Sequence, residues 1–178
     1  MQIQKLELPQ GGEQEREQLY IRCLQGTYQI KEQSLKLEEK TLIRFDTYFN
    51  ACSVEKWLTY TKIQNLSFQV RVKGRGILRI WNEWEKPSGG IERKVLAEKQ
   101  FETEAEELCE ISLLNKMSTA EVQGILYTEI ETGEGQRCIL GEGGYTTSTV
   151  SERTVHLVIA ICTYKRETYV TRNLEIIR

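Results

Sequence analysis

From Leu66 the chain alternates. Leu66, Phe68, Val70 and Val72 are apolar, and Ser67, Gln69, Arg71 and Lys73 between them are polar. A period of two predicts a strand with one buried face. Gly74-Arg75-Gly76 follows and then Ile77-Leu78-Arg79-Ile80-Trp81, which reads as a hairpin turned by the glycines. Residues 10–18 are polar and turn-like, and 19–24 and 26–30 read as short alternating strands. The β pattern becomes clear from Leu42 onward. Pro87-Ser88-Gly89-Gly90 predicts a loop. Residues 92–101 and 105–114 are two further strand-length segments. Residues 124–131 and 137–140 flank Thr132-Gly133-Glu134-Gly135, a second hairpin signal. No long amphipathic helix occurs before residue 168. This rhythm predicts a mainly β fold, an antiparallel β-sandwich or jelly roll over residues 1–150.

The pattern changes near the end. Residues 155–162 (VHLVIAIC) form a nearly unbroken apolar run, the signature of a strand buried on both faces in a parallel sheet. The polar turn Thr163-Tyr164-Lys165-Arg166-Glu167 follows. Val170, Leu174 and Ile177 then recur at helical spacing. This is the first βα unit of an α/β domain, set off by the Thr/Ser-rich strip 146–153, so the expected domains are 1–150 and 151–178. A parallel strand needs a partner reached by a crossover of a dozen or more residues. The expectation is therefore a truncated domain: this chain is the front part of a longer protein.

Composition narrows the function classes. A net charge of −2 gives no reason to expect nucleic acid as a partner. No apolar run approaches the roughly 20 residues of a transmembrane segment, and MQIQKLELPQ lacks the basic start and apolar core of a signal peptide. The cytoplasm is the default location. Cys23, Cys52, Cys109, Cys138 and Cys162 are odd in number and form no CxxC, which predicts reduced, mostly buried thiols. The single histidine, His156, reads as a strand-end residue rather than a ligand or base.

Ala160-Ile161-Cys162-Thr163-Tyr164-Lys165-Arg166-Glu167, with Val170, Arg172-Asn173-Leu174 and Ile177, resembles the start of the catalytic domain of inverting family-2 glycosyltransferases. Leu6-Glu7-Leu8-Pro9, Leu19-Tyr20-Ile21-Arg22, Phe45-Asp46-Thr47-Tyr48-Phe49-Asn50 and Trp57, with Gly141 to Tyr145 near the end, resemble the N-terminal β-sandwich of polymerising galactofuranosyltransferases. The first resemblance implies a GT-A fold that binds a nucleotide-sugar in the loop after its first strand. Carried over by position, the polar contacts there fall to Thr163, Arg166 and Glu167. Sheets of this kind also bind ligands at the carboxyl ends of their strands, which is where Thr163 stands, and a following helix directs its positive end toward phosphate. The alternative for these three is a solvated turn that caps the helix.

Glycosyltransferases of that fold hold a divalent metal, Mg or Mn, through an Asp-x-Asp motif. Asp46 is the only aspartate here, so this chain does not contain that motif. Glu83-Trp84-Glu85 and Glu129-Ile130-Glu131 place carboxylates two apart, as a glutamate-rich chain does by chance. Metal and catalytic base are expected in the remainder of the enzyme, at the cytoplasmic face of the membrane. This chain alone is expected to be inactive.

Trp57, Tyr60, Trp81 and Trp84 are the candidate glycan-binding residues, because such rings pair an apolar face with a polar tip. Trp81 shares the phase of Ile77 and Arg79, and Trp84 the opposite phase, so one is expected to be buried and the other exposed. The alternative use of these rings is to fill the core or a contact with the second domain. Arg71, Lys73, Arg75 and Arg79 are placed to touch an anionic polymer or lipid diphosphate, or simply to solvate an outer sheet face. Two functions follow: the accessory domain of a glycosyltransferase that positions acceptor glycan or supports homo-oligomer assembly, or a free-standing carbohydrate-binding or protein-interaction module.

Overall fold

The computed structural model describes residues 1–9, 16–113, 123–149 and 167–177. The organising element is a long antiparallel pair, β6 (Ser67–Glu85) with β7 (Ile91–Ser112). On its other edge β6 serves two partners in turn. Its first half pairs with β9 (Cys138–Thr146) and its second half with β8 (Ile125–Glu131). Beyond β8 lie β5 (Leu42–Arg44) and β2 (Arg22–Gln25). Beyond β9 lie β4 (Ser34–Leu37), β3 (Tyr28–Lys31) and, on the same edge, β1 (Gln2–Lys5). These nine described strands form one hydrogen-bonded sheet.

The sheet curls until its two halves face each other. Phe68, Val70 and Val72 of the first half of β6, with Leu35, Leu37 and Leu140, bury in the same cluster as Leu78, Ile80, Ile43, Leu126 and Ile130 of the other half. Lys99 Nζ donates to Glu110 O at 3.0 Å although the two are 11 residues apart on β7. Eleven extended residues span about 36 Å, so β7 must bend sharply. The protein is thus a mainly β, antiparallel sandwich made by folding one sheet.

Gly74-Arg75-Gly76 lies at the fold line, and here the sequence expectation is corrected. It is not a hairpin turn, because β6 runs through it unbroken. Gly74 has φ of +100°, and a Cβ there would stand 2.2 Å from Arg137 O. A Cβ on Gly76 would stand 2.9 Å from both Glu131 O and Phe101 Cζ. The glycines permit the close approach of β6 to the ends of β8 and β9 where it changes partners, and Arg75 N donates to Arg137 O there. The segments expected at 92–101 and 105–114 are likewise the two arms of one bent strand, β7. The turn at 87–90 stands as expected, closed by Gly89 N to Lys86 O. The segment 132–135 also turns, with Gln136 N bonded to Gly133 O, but the hairpin expected there is corrected: β8 and β9 do not pair with each other, because β6 lies between them and pairs with both.

A short helix, α1 (Val54–Tyr60), follows the 45–52 loop. That loop is held by Asn50, 2% exposed. Asn50 Nδ2 donates to Glu7 O and Tyr20 O, and Asn50 Oδ1 accepts from Glu7 N, each at 2.7 Å. One side chain therefore ties together three segments remote in sequence. Asn50→Ala is expected to cost about 2–3 kcal/mol, since it orphans buried backbone groups as well as removing bonds. A lower urea midpoint at unchanged slope would register this, and an unchanged midpoint would mean the loop is held by other contacts.

α2 (Glu167–Ile177) is the helix expected from Val170, Leu174 and Ile177. The apolar run 155–162, with His156 and Cys162, lies outside the described residues. Of the described cysteines, Cys52, Cys109 and Cys138 are buried and Cys23 is exposed. Burial pushes the Cys52 and Cys138 thiols up to about 12. Among the described residues no helix is long and apolar enough to cross a membrane.

Candidate functional site

The candidate site is the outer face of the β5-β8-β6-β7 layer. Alternation sends Leu78, Ile80 and Asn82 inward, and Arg79, Trp81 and Glu83 outward. Register then builds cross-strand rows. Arg44, Glu129, Arg79 and Glu98 stand side by side, and in the next row Tyr127, Trp81 and Val95. Glu83 faces Arg93 one step further on.

The first row is a relay of ion pairs. Arg44 Nε bonds Glu129 Oε2 at 2.5 Å, and Arg79 Nη1 lies 3.3 Å from Glu129 Oε1. Arg79 also bonds Glu98 Oε2 at 2.6 Å and pairs with Glu131. Beside them Arg22 pairs with Asp46 at 3.2 Å. The Glu129 side chain is only 4% exposed. Burial works against the charge on Arg79, but its bonds to Glu131 and Glu98 outweigh that and hold its pKa above the usual arginine value. Arg44 is raised in the same way by Glu129. Glu129 and Glu131 thus spend their shared face on Arg79, and among the described residues no three acidic, Cys or His groups are arranged to hold a metal.

The second row is aromatic. The Trp81 and Tyr127 rings lie nearly parallel, 10° apart in plane with centroids 6.3 Å apart. The Arg44 and Arg93 guanidinium carbons sit 5.6 and 5.7 Å from the Trp81 ring centroid, within cation–π range. Trp81 is half-buried and Tyr127 fully buried. Trp81 Nε1 and the Tyr127 hydroxyl are buried with no hydrogen-bond partner among the described residues. Arg93 stands near that hydroxyl without a well-formed bond to it. Burial raises the Tyr127 pKa, so the phenol stays protonated.

The four aromatics singled out by sequence do not assemble. Trp81 lies on this face in the expected phase. Trp84 is half-buried in the opposite phase, with Lys94 Nζ 5.8 Å from its ring. Instead of one buried and one exposed tryptophan, both are half-buried: Arg44 and Arg93 lie over Trp81, and Lys94 lies over Trp84. Trp57 packs on the core from α1, while Tyr60 at the end of α1 is 81% exposed. No ring contact joins any two of the four. Sequence reasoning passed over Tyr127 and read Glu129 only as half of a chance carboxylate pair; their strand is buried on both faces from Leu126 to Ile130. It also missed an exposed aromatic cluster, in which Phe49 stacks on Tyr20 at 4.8 Å and Tyr48 meets Phe49 edge-on. Arg71 and Arg75 pair with Glu106 and Glu102 of β7, so their charges are already matched. Thr163 and Arg166 lie outside the described residues, and Glu167 opens α2.

The family described as "Galactofuranosyltransferase 2 N-terminal" matches residues 3–147. This chain belongs to that family. The matched part of this galactofuranosyltransferase 2 N-terminal domain runs from within β1 to just beyond β9, so it contains the sheet from Ile3 onward and the face described above, and it ends before α2. No curated protein matches the chain. Among solved structures, the domain is similar to the CBM22-2 xylan-binding domain of Paenibacillus barcinonensis Xyn10C, at 11% identity and a TM-score of 0.47, over 81% of this chain and 98% of that one. The CBM22-1–GH10 modules of Clostridium thermocellum Xyn10B, complexed with xylohexaose, match at 10% identity and 0.42, over 73% and 25%. The C-terminal family 22 carbohydrate-binding module of Xyn10B matches at 12% and 0.41, over 75% and 84%.

Proposed function

We propose that this domain serves a nucleotide-sugar-dependent, inverting glycosyltransferase of the family-2, GT-A type by positioning the acceptor glycan on the Trp81–Tyr127 face. Family membership supports the setting. The observation that carries the reading is the pairing of an aromatic row with a row of guanidiniums and carboxylates on one half-buried face. Sugars present apolar C–H faces and hydroxyls that both donate and accept, and this face offers a counterpart to each. In the same proposal the nucleotide-sugar loop holds Thr163, Arg166 and Glu167. The divalent metal and the catalytic base belong to the remainder of the enzyme, which works in the cytoplasm at the membrane face.

The second reading, a protein-interaction surface used for assembly, is favoured by Tyr48, 83% exposed and braced by Phe49 and Tyr20.

Titration with galactofuranose oligosaccharides, followed by tryptophan fluorescence, tests the first reading. A weak complex at the millimolar end of the scale is expected. Trp81→Ala should weaken it about fivefold to tenfold, from roughly 1 kcal/mol of lost ring contact, while Trp57→Phe should leave it unchanged. No response to any oligosaccharide would sink the acceptor role and leave assembly as the surviving explanation.

A further inference from the structure

β7 pairs with β6 and with no other described strand, so its far edge, 22 residues long, has no strand partner among the described residues. The edge strands β2 and β3 are only 4 residues each. A long open edge is a template for a further strand. β7 holds no proline, and it exposes Val95 and Leu108, at 42% and 54%. Its two arms differ in charge. Arm one, 91–100, carries Arg93, Lys94 and Lys99 against Glu92 and Glu98, and both glutamates are already paired, with Lys86 and Arg79. Arm two, 101–112, carries five glutamates and no basic residue. Glu102 and Glu106 pair with Arg75 and Arg71 of β6, but Glu104, Glu107 and Glu110 have no cation within ion-pair distance among the described residues. Lys99 likewise has no carboxylate there; its ammonium meets the backbone oxygen of Glu110. That bond also sets the geometry. The chain leaves Lys99, bends, and returns level with it at Glu110, so the arms run in opposite senses, one in each layer.

We propose that the open edge of β7 is a dimerisation surface, and that its occupant is the β7 edge of a second copy of this chain, arm one against arm two. Like charges bar arm two from pairing with itself, whereas arm one offers it cations. A two-fold axis parallel to the arms sets each arm one beside the other copy's arm two, antiparallel, in both layers at once. The same axis keeps Lys99 level with Glu107 and Glu110 of the second copy. Each chain has one such edge, so the association closes at two copies instead of growing into a fibre. This surface lies apart from the Tyr48 cluster and does not depend on the glycan reading.

The test is analytical ultracentrifugation of the full chain over a dilution series, at low and at high salt. A dimer is expected that dissociates on dilution and weakens as salt screens the arms. Lys99→Glu and Glu107→Lys, two exposed changes whose folding is checked by circular dichroism, should each weaken it about tenfold, because each sets like charges against each other across the interface. The double variant, Lys99→Glu with Glu107→Lys, should recover most of the loss, since the swap restores opposite charges between copies; a merely structural role for either residue would not produce that rescue. Tyr48→Ser should leave the dimer unchanged. A chain that is monomeric at every concentration overturns the proposal and leaves the glycan reading, tested by its own titration, untouched. A dimer indifferent to both charge variants but abolished by Tyr48→Ser overturns the assignment to β7 and leaves the Tyr48 assembly surface standing. Losses that simply add in the double variant overturn the crossed arrangement of the arms.

Discussion

Replacing Glu129 with leucine is expected to destabilise the fold by about 3 kcal/mol, because breaking a buried ion pair by removing one partner leaves the other charge without compensation. The Glu129 carboxylate is 4% exposed and stands between Arg44 and Arg79, which are 16% and 19% exposed. The loss is unequally shared. Arg79 keeps Glu98 and Glu131, whereas Arg44 keeps no bonded carboxylate among the described residues. The double variant Arg44→Met with Glu129→Leu should therefore recover most of the stability, since apolar groups of similar volume commonly replace a buried pair at little cost. Urea unfolding of the two single variants and the double variant gives the coupling directly. Strictly additive losses would mean that Arg44 and Glu129 do not act as a pair, and that the row of charges is only a solvated surface.

How far the sequence discloses this arrangement depends on which partner each residue needs. Alternation at Leu66 to Val72 requires only that one face of a strand be buried, and the fold class follows from it. The phase of Trp81 against Leu78 and Ile80 is legible for the same reason. Gly74-Arg75-Gly76 is misread because a glycine-bounded tripeptide between two alternating runs looks the same whether it turns a hairpin or lets one strand cross close to another. The difference lies in Arg137 and Phe101, which stand far along the chain. In the sequence Glu129 is one of many glutamates spaced two apart, and Tyr127 carries no signal of its own. They are buried because β8 lies between β5 and β6 and long arginine side chains cover its outer face, a fact of pairing rather than of local pattern. Trp57, Tyr60 and Trp84 make no ring contact with Trp81, because each sits on a different element or in the opposite strand phase. α1 is too short for helical periodicity to show, and the hub at Asn50 depends on Glu7 and Tyr20, each in a different segment. The family resemblance, in contrast, was carried by those same short motifs at 6–9, 19–22 and 45–50, and residues 3–147 match the family.

Gly74→Ala should be among the most damaging single changes available, at about 3 kcal/mol or more. Two effects combine there, and a second glycine separates them. Gly74 has φ of +100°, which costs any residue with a Cβ about 1–2 kcal/mol. Its added Cβ would also stand 2.2 Å from Arg137 O and 3.0 Å from Cys138 Cα. Both are backbone atoms, so no side chain rotates to make room, and relief requires β6 and β9 to part where the sheet changes direction. Gly89 has a similar φ of +84° but lies in the 87–90 turn with nothing within 4 Å of an added Cβ. Gly89→Ala should therefore show the dihedral cost alone, about 1 kcal/mol. The measurement is the difference between the two urea midpoints at equal slope. A large excess for Gly74 identifies close strand approach as what the fold line requires of this residue. Equal losses would show that β6 and β9 adjust freely at the crossing, and that the bend of the long hairpin is set elsewhere, at Gly76 and the Phe101 ring that fills the space beside it.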